Sequence, residues 1–314
     1  MRRVAAIDIG TVTTRLLIAD TDGADVVEVV RRTIVTHLGE GLHATGALSP
    51  AGIGRVADAV RGFATEIERT GADDVVAVAT SAARDASNGR EFIEAVAAAG
   101  VRPRIIPGPT EARLSFSGAA WGLSCDGILV ADLGGGSTEL ILGSAAPGGH
   151  GPAAECRIEM ARSLDVGSRR VLDMFLHTDP PTEAELDEAA AWVAAQLAPY
   201  FAQLPERPRE LITLAGTGTT LSAIKQQLEV YSPEMVHGSH LSGADVSDLL
   251  ERLAALDVES RRLVVGMDPA RADVIVAGAL ILSAIIALAG TAGTTVSEHD
   301  ILYGLVLAGP EGLD

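Results

Sequence analysis

Apolar runs of two kinds alternate along this chain. Stretches near 3–9, 14–20 and 25–33 precede any helical pattern and read as three strands. Ser49-Pro50 then opens a helix, with Ser as N-cap and Pro in the first turn. Ile53, Val56, Ala57, Val60, Phe63 and Ile67 keep helical spacing, and Gly71 ends it. The continuous apolar run Val75–Ala79 predicts a buried parallel strand leading into Thr80-Ser81-Ala82-Ala83-Arg84-Asp85. A helix near 89–99, a short strand near 103–106 and a helix from about 110 complete this half.

The order then recurs. Strands fall near 127–132, 138–143 and 154–160, with 143–151, rich in Gly and Pro, as a hairpin loop. A helix near 182–204 opens with the capping box Thr182-x-x-Glu185. The strand Leu211–Ala215 runs into Gly216-Thr217-Gly218-Thr219-Thr220 and a helix; another capped helix begins at Ser242-x-x-Asp245. An apolar helix near 272–289, a short strand and a last helix follow. The recurrence predicts two related α/β lobes with mixed sheets, 1–124 and 125–299, with the helix near 300–314 packing back on the first.

From Val274 to Thr295 no residue is charged, a length that also suits a membrane span. Gly278, Gly290 and Gly293 interrupt it, charged residues flank it at Arg271/Asp273 and Glu298/Asp300, and no aromatic belt is present, so a buried helix is expected.

Composition narrows the partners. At 314 residues the chain suits two domains. A net charge of −18 argues against nonspecific binding to nucleic acid or membrane surfaces. Lys225 is the only lysine, which excludes a Walker loop ending in Lys. Cys125 and Cys156 have no metal-ligand spacing and indicate a reducing compartment. Met1-Arg2-Arg3 leads directly into a strand, so the expected location is cytoplasmic, without a cleavable signal.

The chemistry lies in a doubled pattern. Asp8-Ile9-Gly10-Thr11-Val12-Thr13-Thr14-Arg15 aligns without a gap on Asp132-Leu133-Gly134-Gly135-Gly136-Ser137-Thr138-Glu139. Each is a strand, a turn rich in Gly or hydroxyls, and a second strand. Such turns expose backbone N–H groups that bind anions, and the adjacent carboxylate can hold a divalent cation. Two such turns facing across a cleft would grip phosphate.

These motifs resemble the two phosphate loops of the actin/hexokinase/Hsp70 superfamily. More narrowly, the chain resembles the exopolyphosphatase and guanosine pentaphosphate phosphohydrolase (Ppx/GppA) family in its short form. The narrower likeness rests on Ala79–Arg84, Pro109-Thr110-Glu111-Ala112-Arg113-Leu114-Ser115-Phe116, Gly134–Glu139, Ser163–Gly167, Gly216–Thr220 and Pro269–Val274. It implies two ribonuclease H-like (actin-like ATPase) lobes with mixed sheets flanking a central cleft, and a homodimer. The implied activity is Mg²⁺-dependent (or Mn²⁺-dependent) release of terminal phosphate from inorganic polyphosphate. Guanosine pentaphosphate hydrolysis is the near alternative; an ATP-dependent kinase or a non-catalytic polyphosphate or alarmone sensor is more distant.

Taken alone, Glu111 is an acidic residue in the first turn of a helix, favouring its dipole; the resemblance makes it the general base. Asp132 and Glu139 can together hold the metal, with Asp8 as third candidate, or Asp132 and Asp8 accept backbone bonds within their own turns. Gly134, Gly135, Gly136, Ser137 and Thr138 would present N–H groups and hydroxyls to phosphate, as would Thr11, Thr13 and Thr14. Val12 stands where relatives commonly have Asn. Arg15, in the repeat position of Glu139, and Arg84 are candidate phosphate clamps, with Arg271 a third; surface Arg is the alternative for each. His237-x-x-His240 and Glu298-His299-Asp300 lack a third ligand at diagnostic spacing and read as solvated loops.

Overall fold

The computed structural model describes residues 1–23, 25–123, 125–145 and 156–313. They form two compact units. The first takes Met1–Cys125 and His299–Asp314, with the strand ends at Ala145 and 156–157; the second takes Asp126–Ser144 and Ile158–Glu298.

In the first unit β1 (Arg2–Ile9), β2 (Thr13–Thr21), β3 (Val26–Val35), β4 (Asp74–Ala79) and β5 (Arg104–Ile105) form one sheet in the order β3-β2-β1-β4-β5. The β1–β2 and β2–β3 pairs are antiparallel, while β1–β4 and β4–β5 are parallel. Central β1 is covered on both faces, which is why Val4–Ile7 is a continuous apolar run rather than an alternating one. Ala5, Ile7 and Ile9 join Leu16, Ile18 and the Ile53/Val56/Val60/Phe63 stripe of the helix Pro50–Thr70. Val4 and Ala6 point the other way, into Leu17, Val76, Val78, Leu114 and the helix Ile301–Ala308. The Pro50–Thr70 helix has the expected ends: the Ser49 hydroxyl accepts the Gly52 N–H at 3.0 Å, and Gly71 stops it at φ 66°.

The helices Gly108–Ala119 and Ile301–Ala308 cross with their backbones in contact. A Cβ on Gly118 would lie 1.8 Å from the Asp300 carbonyl oxygen, and one on Gly304 2.0 Å from that of Leu114. Only glycine admits this approach, and it ties a segment near the end of the sequence to the helix that carries Glu111.

The second unit repeats the plan. Its strands are β6 (Cys125–Leu133), β7 (Thr138–Ala145), β8 (Cys156–Leu164), β9 (Glu210–Leu214), β10 (His240–Ser242) and β11 (Gly293–Val296), in the order β10-β11-β9-β6-β7-β8. Read from β8, the order 8-7-6-9-11 reproduces 3-2-1-4-5, with β10 added outside. β9 runs parallel to both β6 and β11, and β10 is antiparallel to β11. The uncharged run is the helix Ile275–Ala289, whose Ile275, Ala279, Leu282 and Ile286 lie in this unit's core with Leu129, Val193 and Leu249. Among the described residues no helix is long and apolar enough to cross a membrane.

Several elements depart from the pattern-based expectation. The helix near 182–204 runs Glu183–Phe201, and the strand expected near 154–160 is described from Cys156 and continues to Leu164. The segment near 300–314 is a helix to Ala308 followed by a 3₁₀ turn, Pro310–Leu313. Residues 146–151 of the expected hairpin loop lie outside the described residues. The helices Ser81–Asp85, Ser168–Phe175 and Val258–Arg262, and the strand β10, carry too few residues to show a period.

The glycines separate packing from propensity. Gly304→Ala should lower stability by about 3 kcal/mol through overpacking. Exposed Gly54 and Gly62, with nothing within 4 Å of an added Cβ, should each gain about 0.5–1 kcal/mol as Ala. Urea unfolding of the three variants checks both signs.

Candidate active site

In each unit the candidate residues gather at the carboxyl ends of the parallel strands, where open α/β sheets bind ligands. In the first unit Ile9 pairs with Ala79 and Ala79 with Ile105, so three strands end side by side. From these ends lead the Gly10 turn, the Thr80–Arg84 segment and the first turn of the Glu111 helix.

Glu111 is buried rather than solvated at its helix start. Its Oε2 accepts from Arg84 Nη1 at 2.9 Å, and the same Nη1 reaches the Ile106 carbonyl at 3.2 Å. An ion pair at a nearly buried position fixes where the carboxylate points. Arg84 is held from its own side, since its N–H donates to the Thr80 carbonyl and the Thr80 N–H to that of Ile9.

In the Gly10 turn the Gly10 N–H bonds the Thr13 carbonyl at 2.8 Å, and the turn is stitched to residues 36–39 through the carbonyls of Val12 and Thr11. Thr14 is fully buried and its hydroxyl meets that of Thr36 at 3.0 Å, inside the unit. Val12 is buried as well. Arg15 is not a surface residue: Nε and Nη2 donate to Asp8 Oδ2 at 3.1 and 2.6 Å, and Nη1 donates to Asp300 Oδ2. Burial raises the Asp8 carboxyl above its ordinary value against the pull of Arg15, and the Asp300 carboxylate adds to the rise. Asp300 therefore corrects the expectation of a solvated 298–300 loop, for it is buried and caps the helix Ile301–Ala308. His299 is stacked on Tyr303, with ring centroids 4.2 Å apart.

The second unit builds the same turn and then braces it. The Gly134 N–H bonds the Ser137 carbonyl at 3.0 Å, as Gly10 does Thr13. The carbonyls of Gly134 and Gly135 accept the backbone N–H groups of Ser168 (3.0 Å), Arg169 (2.8 Å) and Arg170 (3.1 Å), and Arg170 Nε reaches the Gly136 carbonyl at 2.9 Å. In a trans peptide the C=O of one residue and the N–H of the next point in opposite directions. With three carbonyls turned to the helix Ser168–Phe175, the N–H groups of Gly135, Gly136 and Ser137 face away from it. Successive N–H groups turned to one side in this way have the form of a backbone nest, a shape able to take an anion.

Around this loop Asp132 is buried, and buried Glu139 accepts the Ser163 hydroxyl at 2.6 Å. Thr138 donates its hydroxyl to the Val166 carbonyl at 2.5 Å, so it braces the loop from within. At the adjoining ends of β9 and β11, the Arg271 guanidinium lies against Gly216, where a Cβ would stand 1.6 Å from Nη1. Tyr231 donates its hydroxyl to Glu298, and burial together with that carboxylate raises the phenol well above its ordinary value. His237 and His240 are exposed. Among the described residues no group of three or more His, Cys, Asp or Glu side chains is assembled for a metal.

Two features had no sequence signal strong enough to find them: Asp300 as a partner of Arg15, and the Ser168–Phe175 helix as a brace. The segment Ser163–Gly167 pointed to the second only as part of a family likeness.

Residues 17–308 match the Ppx/GppA phosphatase family. The chain belongs to that family. Exopolyphosphatase 2 of Mycobacterium tuberculosis is 38% identical over 325 aligned positions, which cover 98% of each chain. A solved exopolyphosphatase-like protein is 34% identical, with a TM-score of 0.90 over 100% of this chain and 99% of that one. The exopolyphosphatase from Cytophaga hutchinsonii is 27% identical, with a TM-score of 0.87 over 100% and 99%. The two mixed-sheet units are thus the architecture of Ppx/GppA structures.

The brace of this Ppx/GppA loop is testable. A Cβ on Gly167 would lie 2.4 Å from the Gly135 carbonyl carbon and 2.5 Å from that of Gly136. Gly167→Ala should cost about 1–3 kcal/mol of stability by forcing the loop off its helix. Unfolding at the wild-type midpoint would show that the loop is not held from this side.

Proposed function

We propose that the protein is an exopolyphosphatase, hydrolysing the terminal phosphoanhydride bond of inorganic polyphosphate. The observation that carries this reading is Glu111: a buried carboxylate, aimed by Arg84, at the carboxyl ends of parallel strands. A carboxylate so held can accept the proton of an attacking water, while the departing oxygen stays on the shortened polyphosphate. Such a base contributes on the order of 10²–10⁴ in rate. The names of the relatives support the substrate class.

The rest of phosphoryl transfer is positioning and charge stabilisation. The N–H nest at Gly135, Gly136 and Ser137 binds phosphoryl oxygens without adding a side-chain cation, which suits a chain of net charge −18. Arg84 and Arg271 supply guanidinium donors in the first and second units. Thr11 and Thr13 line the first turn, whereas the hydroxyls of Thr14 and Thr138 brace their own units. Arg15 sets the charge balance of the first turn rather than clamping phosphate, since two carboxylates engage it.

Asp132 and Glu139 in the second unit, and Asp8 in the first taken by itself, are the carboxylates that would hold Mg²⁺ or Mn²⁺. They fit the ion: all are buried hard oxygen donors, and Asp8 Oδ1 has no hydrogen-bond partner among the described residues. Mg²⁺ typically takes only one or two carboxylates together with water and substrate phosphate. When bound, the ion supplies neutralisation of phosphoryl charge. The family resemblance also supports a cytoplasmic homodimer.

Glu111→Gln should lower turnover at least a hundredfold while polyphosphate binding stays within a few-fold. Phosphate release from polyphosphate, guanosine pentaphosphate and ATP, measured beside a binding titration, checks this. Full activity of the variant would overturn the role of Glu111, and rapid release from ATP alone would overturn the substrate class.

A further inference from the structure

The helix Ser168–Phe175 holds the loop Gly134–Ser137 in two different ways. The first N–H groups of a helix have no partner within it. Here those of Ser168, Arg169 and Arg170 are taken up by the Gly134 and Gly135 carbonyls, and the ladder of the helix itself begins with the Val171 N–H on the Gly167 carbonyl at 2.9 Å. The helix end has thus used its backbone donors before the Gly136 carbonyl is reached. That carbonyl accepts from a side chain, Arg170 Nε, at 2.9 Å.

The difference matters because Gly136–Ser137 is the last peptide of the turn. A glycine on its N-terminal side lets the peptide rotate, and any rotation of the carbonyl carries the Ser137 N–H round with it. The two earlier peptides are oriented by main chain, which no substitution of a side chain removes. The last one depends on Arg170. This residue starts from a fixed place: its own N–H is tied to the Gly135 carbonyl at 3.1 Å. Neighbouring Val171 is fully buried with Leu133 and Leu140, from the two strands that the loop joins. Arg170 Nη2 also lies 3.7 Å from Asp165 Oδ1, but that carboxylate is largely exposed, and such pairs hold little.

We infer that Arg170 is a positioning residue: its Nε bond to the Gly136 carbonyl keeps the Ser137 N–H turned to where phosphoryl oxygens bind. The inference rests on the proposed reading of this loop as a phosphate site and concerns the second unit alone. A carbonyl so bonded also strengthens the N–H on the other side of its peptide, because hydrogen bonds in a chain polarise one another. It is the donor at Nε, and not the guanidinium charge, that sets the peptide.

Two substitutions on the full chain separate the bond from the charge. Nε2 of Gln stands as many bonds from Cα as Nε of Arg, so Arg170→Gln keeps a donor at that place without the charge. Arg170→Met fills the same length with no donor. The probe is methylenediphosphonate, whose P–C–P bridge resists hydrolysis, titrated calorimetrically at a fixed Mg²⁺ concentration. Arg170→Met should weaken its binding about tenfold, the loss of one oriented hydrogen bond, while Arg170→Gln stays within about threefold of wild type. In turnover the KM for polyphosphate should rise by the same factors, with kcat within about twofold. A merely structural Arg would give lower unfolding midpoints without this split between Gln and Met.

Wild-type affinity in Arg170→Met would overturn the inference. Equal weakening in both variants would overturn it as well, by assigning the effect to the charge. If the Met variant does not fold, Gln carries the test, since a loss of about tenfold there also contradicts a role for the donor alone. Absence of diphosphonate binding by the wild-type protein would remove the phosphate reading of the loop and the inference with it. Failure to release phosphate from polyphosphate, with the split between Gln and Met intact, would overturn the substrate assignment and leave the role of Arg170 standing.

Discussion

Gly10 and Gly134 each turn their N–H onto the carbonyl three residues ahead, and the candidate chemistry of both units is arranged around that one backbone bond. It forces the chain to reverse straight after an Asp at a strand end. The carboxylate is thereby left at the rim of the sheet, and the following peptides crowd into a tight turn. A residue with a side chain at either position would press on the carbonyl it must bond, since a Cβ would stand 3.2 or 3.0 Å from it. The neighbouring parallel strands then bring their own ends to the same rim.

The two copies use this turn differently because of what lies behind it. The second is backed by a helix N-terminus that takes up its carbonyls, so its N–H groups are displayed. The first is backed by the segment 36–39, which takes up the carbonyls of Thr11 and Val12, and by an Asp–Arg–Asp set that fixes charge. Arg15 and Glu139 hold the same place in the repeat yet engage opposite kinds of partner, two carboxylates and a serine hydroxyl. One turn is shaped by what its backbone carbonyls bond, and the other has its electrostatics organised by side chains.

How much of this the sequence discloses depends on the range of the cause. The Pro50–Thr70 helix is legible to the residue because Ser49 and Gly71 act within one turn of it. The shared strand order follows from the doubled pattern, since apolar continuity reports burial on both faces of β1. The first-turn position of Glu111 is legible, but its burial is not, because the covering elements come from elsewhere in the chain. Asp300 is least legible of all. Its partner lies 285 residues away, and a side chain that caps a helix locally carries no mark of a second, distant bond.

The backbone crossing at Gly118 and Gly304 has a temporal consequence. The first unit is closed by residues that leave the ribosome only after the whole second unit has been made. At roughly 5–20 residues per second, the faces of β1 and the Glu111 helix that later bury Ile301 and Leu305 wait on the order of ten seconds or more for their cover. During that interval Arg15 and Asp8 meet without Asp300. The charge set of the first turn is therefore among the last features of the molecule to be completed, and the earliest strand reaches its final electrostatic state only when one of the latest helices docks.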